Sequence, residues 1–323
     1  MIDCPPPEES YNGNWYVLLA GLPKPDEVLA LGPGVSLVPL RTQLSVFDLA
    51  AVGASGFRAW AILEPFTHAC ACEIESSVDA AVLPGYDALN RAWLASALLV
   101  LRGFSRHMAV ACSSYSWNLV AGHQERTAPA FREQLREEGV EAAVYAPAEE
   151  RSLPQFHGGA LDFHLRMLAT GDPGNRSLGS EEASWIYQHF EAFNRLASDS
   201  SAFRLALEAA TDWRFAKEPR MAIARLWAGI EALFGVNSEL VFRPSLLCAA
   251  ILEPRGKGRQ AKFSDVKKLY GLRSKAVHGE AMEEKTVDEA MSRSFQLLSE
   301  LLLATIERGH VLGAEDFDEA IFC

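Results

Sequence analysis

Apolar residues in the second half of the chain recur every three or four positions, a spacing that restricts that half to packed helices. Ala222, Ile223, Leu226, Ile230 and Leu233 form one stripe, and Val266, Leu269, Leu272 and Ala276 a second. Val287, Ala290, Met291, Leu298, Leu301 and Leu302 form a third. The pattern predicts helices over 219–234 with proline in the first turn, over 264–278 with Gly279 as the stop, and over a long closing segment that ends near Gly309. Shorter helices are expected at 161–169, 181–197 behind a Ser180 cap, 202–211 and 244–252, with 253–260 as a basic, glycine-containing loop and an acidic, frayed tail at 315–319. Helices that each bury one stripe assemble as an up-and-down bundle.

The first half reads differently. Segments 15–20, 35–40 and 57–74 are rich in β-branched, aromatic and small apolar residues and are set off by Gly-Pro turns. Segment 86–101 has helical length and composition, 107–120 reads as strand, turn and strand, and 124–138 as a charged helix. Periodicity is lost between Ala146 and Gly159, where Pro147, Pro154, Gly158 and Gly159 gather, so the domain boundary is expected there. The fold class is therefore α+β: a mixed α/β domain over 1–150, followed by an all-α bundle over 160–323.

Composition excludes several classes. Of 323 residues, 49% are hydrophobic and 22% charged, which is globular rather than disordered. Apolar runs such as 92–101 and 297–306 fall short of a membrane span. The opening Met-Ile-Asp-Cys-Pro-Pro-Pro lacks the basic-then-apolar order of an export signal, and six scattered cysteines show no disulfide framework, so a reducing cytoplasm is expected. The loop over 171–179 lacks the Gly-Lys-Ser/Thr ending of a phosphate cradle, and His157-Gly158-Gly159 has no nucleophile elbow to accompany it. His68, Cys70 and Cys72 alternate, which in a strand places them on one face; zinc with Cys112 as a fourth ligand is weighed there against ordinary buried thiols, and the wide spacing favours the thiols. No metal or cofactor is expected.

One segment departs from the acidic balance of −12. Between Pro254 and Lys275 stand eight basic residues, Arg255, Lys257, Arg259, Lys262, Lys267, Lys268, Arg273 and Lys275, against the single acid Asp265. Such a run on a helix is usually a solvated face, and His278 at its end would then simply sit near the carbonyl pole of the helix. Upstream, Glu231 interrupts an apolar stripe, either as a surface residue or as a carboxylate held for Arg273, and Trp227 reads as packing rather than as a platform for bases.

Arg273-Ser274-Lys275-Ala276-Val277-His278 resembles the R-x4-6-H motif of the HEPN superfamily. It follows Leu269-Tyr270-Gly271-Leu272 and precedes Gly279, with Leu226-Trp227-Ala228-Gly229-Ile230-Glu231-Ala232-Leu233-Phe234-Gly235 upstream, a combination similar to the ApeA-like branch associated with bacterial anti-phage defence. The resemblance covers about the last half of the chain and implies a metal-independent endoribonuclease, toxin-like or antiviral. In it His278 is the acid or base and Arg273 the phosphate clamp, with Glu231 and Tyr270 in support. Ser274 replaces the asparagine, aspartate or histidine often found after the arginine. Lys275, Lys268, Lys267, Arg259, Lys257 and Arg255 would track an RNA backbone.

On a helix Arg273 and His278 lie roughly 140° apart, so one motif helix does not close a site alone. Cleavage through the 2'-hydroxyl needs a base, an acid and positive charge together, and the resemblance implies that two chains supply them across a twofold axis. The expected partners are thus RNA, a second copy through the helical domain, and a phage or host protein on the N-terminal domain. The competing expectation keeps the fold without the activity, as a nucleotide- or RNA-binding or dimerisation module.

Overall fold

A computed structural model describes residues 14–51, 63–77, 88–113, 116–122, 178–235, 241–311, 313 and 318–319. The expected domain boundary at 146–159, the helices at 124–138 and 161–169 and most of the acidic tail lie outside the described residues. The chain divides into two compact units, one including residues up to Ser96 and Arg106 to Gly122 with Leu178–Phe190, the other Ala97–Ser105 and Glu191 onward.

In the first unit a five-stranded sheet runs in the order β2-β3-β4-β1-β5, with every pair antiparallel: β1 Trp15–Ala20, β2 Leu29–Gly32, β3 Val35–Pro39, β4 Cys70–Ser76 and β5 Met108–Ser113. β1 is an interior strand, paired on one side to β4 (Val17 opposite Ile74) and on the other to β5 (Val17 opposite Cys112), in keeping with its nearly continuous burial. β2, which the sequence pattern did not reveal, joins β3 through Gly34 at φ 68°, whose carbonyl accepts from Ser77 N at 2.8 Å. A Cβ at Gly34 would stand 2.5 Å from the Ser77 hydroxyl, so both backbone conformation and space select glycine.

Two short helices share a core with the sheet, and a longer one lies between β4 and β5 in the chain. α1 (Val46–Ala51) opens with a capping box, in which Ser45 Oγ accepts from Asp48 N and Asp48 Oδ2 accepts from Ser45 N. α2 is Ala88–Leu101, close to expectation. The expected strand after β5 is instead a short helix, α3 (Trp117–Val120), because Ser116 caps it through Asn118 N, and Trp117 buries its ring with Nε1 donating to Tyr16 O. Leu18, Ala20, Leu49, Cys70, Val110, Trp117 and Val120 share one core.

The helices continue with α4 (Ser180–Asp199), α5 (Ser201–Asp212), α6 (Pro219–Phe234), α7 (Phe242–Leu252), α8 (Lys257–Val277) and α9 (Glu284–Arg308). Within the second unit α6 is central and packs against α5, α7, α8 and α9. Its whole predicted stripe is buried, each isoleucine and leucine of it contributing about 1.5–3 kcal/mol. Gly229 lets α5 approach: a Cβ there would stand 2.8 Å from that of Ala209. Trp227 is fully buried, donates to Ser294 Oγ at 3.0 Å and meets Tyr270 edge-on at 5.0 Å, so it serves packing.

One boundary is corrected. The basic segment at 253–260 is a loop only to Gly256; α8 starts at Lys257, so Lys257 and Arg259 are helical. Gly256 at φ 136° makes the entry turn, Arg259 Nε donates back to Glu253 O, and Lys262 is tied to Glu300 of α9 at 2.8 Å, which fixes a first turn that has no apolar stripe of its own.

Candidate functional site

The motif lies at the C-terminal end of α8. Glu280 N donates to Lys275 O at 3.0 Å and Gly279 N to Ala276 O at 3.4 Å, with Gly279 at φ 72°, the paired bonds of a Schellman stop. His278 is thereby the C-cap residue, its backbone at φ −84° and ψ 2°. Its ring is exposed and, among the described residues, has no hydrogen-bond or ion-pair partner. An imidazolium there faces the negative pole of the helix.

Helical spacing sorts the remaining side chains. Val266, Leu269, Tyr270 and Ala276 are buried and mark the packing face. Arg273 projects from the middle of that face, its side chain 22% exposed, with Nη2 at 3.3 Å from Oε1 of Glu231 on α6 and its guanidinium 5.3 Å from the centre of the Tyr270 ring. Burial raises the Tyr270 phenol above its usual range; Arg273 pulls it down and Glu231 pushes it up, both more weakly. Ser274 is half-buried beside Arg273. The sequence left Glu231 open between surface residue and partner of Arg273, and the geometry selects the partner.

On the opposite side, Lys257, Lys268 and Lys275 are exposed and fall within about 20° of one another around the helix, at intervals of roughly 16 and 10 Å along it. Lys267 and His278 lie beside this row. Lys268 has a loose pair with Asp265 at 3.9 Å, whereas Arg259 and Lys262 are engaged with Glu253 and Glu300; Arg255 is exposed in the turn before the helix. Periodicity does not show this row, because Lys257 stands in a stretch without an apolar stripe. So α8 carries His278 and a lysine row on its exposed side, and Arg273 on its packed side.

Three other groups of polar or thiol side chains lie in the first unit. The predicted alternation of His68, Cys70 and Cys72 does not form: His68 belongs to a 3-10 turn, Glu64–Ala69. A bulge then sets Cys70 opposite Ala20 but Cys72 opposite Leu19, which sends the two thiols to opposite faces of the sheet. No cluster of metal-ligating side chains occurs among the described residues, and burial pushes both thiols up to about 12, as expected of inert cysteines. Glu73, which nothing in the pattern flagged, is buried and accepts from Ser116 Oγ, Trp117 N and Asn118 Nδ2; burial raises its carboxyl to about 7, against these hydrogen bonds, which lower it. His107, fully buried, contacts Ser96 Oγ at 2.8 Å, a dyad that no substrate reaches in this conformation.

No family model, no curated protein and no solved structure matches the chain. No helix of the described residues is long and apolar enough to cross a membrane.

Proposed function

We propose that the helical half is a metal-independent, HEPN-type endoribonuclease, active at a site completed by a second copy of the chain and belonging to a cytoplasmic antiviral or toxin-like system. The observation that carries this reading is the arrangement along α8: an exposed imidazole at a glycine-closed helix end, beside an exposed lysine row on a chain of net charge −12. The lysines would hold the phosphate backbone without reading bases. His278 would take the 2'-hydroxyl proton or protonate the leaving 5'-oxygen, and Arg273 would neutralise the phosphorane. Because Arg273 and His278 diverge around α8, the acid, the base and both cations come together only when two such helices face each other. The N-terminal sheet domain is assigned the sensing role, with a phage or host protein as its ligand.

The test is incubation of varied RNAs with the protein in chelator, beside His278→Ala. Cleavage by the wild type alone, giving 2',3'-cyclic phosphate ends, supports the reading, and an inactive wild type sinks it. One observation favours a second reading: the Arg273–Glu231 pair joins α8 to α6, as a purely structural arginine would. In that case the half is a binding or dimerisation module, and Arg273→Ala lowers stability without any activity to lose.

A further inference from the structure

The contact between Arg273 and Glu231 is an incomplete ion pair. Bidentate recognition of an oxyanion by arginine uses two adjacent N–H groups in a plane. Here Nη2 lies 3.3 Å from Oε1, yet Glu231 Oε1 and Arg273 Nε are both shielded from solvent and neither has a hydrogen-bond partner among the described residues. Glu231 also stands in the last turn of α6, which ends at Phe234, where the helix pole is negative and disfavours a carboxylate. The pair is thus held by charge and proximity, and the Nε edge of the arginine fork is left without an acceptor.

Resting on the ribonuclease reading, we infer that Glu231 is an internal stand-in for the substrate phosphate: it occupies Arg273 in the free protein, and an RNA phosphate must displace it. A phosphodiester offers the fork two unbridged oxygens, and the Tyr270 ring already flanks the guanidinium, its centre 5.3 Å from Cζ. Glu231 then acts as a threshold. Its carboxylate weakens binding of any strand that does not also engage the lysine row, and it returns to Arg273 when product leaves. A carboxylate whose task was only to orient Arg273 would have the opposite effect, since its removal would loosen the clamp.

The experiment uses a fluorescein-labelled oligoribonucleotide with 2'-O-methyl groups, which binds but cannot be cut, and reads its dissociation constant by anisotropy for the wild type, Glu231→Gln, Arg273→Ala and the double variant. Glu231→Gln should bind roughly two- to fivefold more tightly, the range of a half-exposed ion pair. In the Arg273→Ala background the same change should have little effect, because the latch has nothing left to release. Unchanged or weaker binding by Glu231→Gln, or an equal gain with and without Arg273, overturns the inference. Should that variant fail to fold, Glu231→Asp, which withdraws the carboxylate by one methylene, carries the same expectation. A wild type that binds this probe but cuts no RNA removes the ribonuclease reading, and the binding cycle still decides the latch. A wild type that does not bind the probe overturns both.

Discussion

His278 and Arg273 contribute different things, and their substitutions should separate. His278 is exposed with its ring unengaged among the described residues, so His278→Ala should remove cleavage by about a hundredfold or more while leaving thermal stability within about 0.5 kcal/mol. Arg273→Ala should also remove cleavage, but it strands the half-buried Glu231 beside a negative helix pole. A stability loss of about 1 kcal/mol is expected, recovered when Glu231→Gln is added; denaturant titration of the three variants checks it. Glu73 gives a residue-scale prediction in the other unit. Its carboxyl titrates near 7 in the folded protein against 4.5 for the free group, so between those values the folded state binds a proton that the unfolded state has lost. Stability from this group must then fall as pH rises from about 4.5 to 7, by up to about 3 kcal/mol, and level off above. Glu73→Gln should flatten that slope in denaturant melts across pH; an unaltered slope would mean that the carboxyl is ionised throughout.

At the scale of elements, α8 owes its end to one glycine and its electrostatic face to three lysines. No atom lies within 4 Å of a Cβ at Gly279, so Gly279→Ala meets no clash and pays only for φ 72°, about 1 kcal/mol. Because the stop positions His278, cleavage should drop by more than that loss of stability explains, as a comparison of rate and melting temperature would reveal. Replacing Lys257, Lys268 and Lys275 together with glutamine should weaken RNA binding and reduce the salt slope by about 2 to 3 units, since each lysine displaces counterions from roughly one phosphate. A slope identical to the wild type would move the phosphate track elsewhere. These elements differ in how legible they were. Helix 219–234 could be read to the residue, because a proline start, a regular apolar stripe and Gly235 all agree. The first turn of α8 could not, because Lys257 to Lys262 has no such stripe and its start depends on Gly256, Glu253 and Glu300, contacts that periodicity does not encode. The His68 and cysteine alternation failed for a similar reason: a bulge is decided by strand pairing, and one inserted residue inverts a face. Glu231 was half legible, since a carboxylate inside an apolar stripe asks for a cation without naming it.

Among the described residues an antiparallel sheet occupies the first half of the chain and helices fill the second, as the change of periodicity foretold. The proposed chemistry needs more than one such chain, because α8 turns His278 outward and Arg273 inward. Dilution below the dimer dissociation constant should therefore reduce specific activity, and mixing His278→Ala with an excess of wild type should give heterodimers of reduced activity; a dilute monomer cutting at full rate would refute the composite site. In the proposed chemistry the imidazole at the end of α8 drives attack by the RNA's own 2'-hydroxyl. The most direct measurement compares, in chelator, cleavage of an RNA by the wild type with cleavage of the same RNA carrying a single 2'-deoxy residue at the cut site. A 2',3'-cyclic phosphate and a 5'-hydroxyl are expected from the first and no cut at that position in the second. Equal cleavage of both substrates would contradict it.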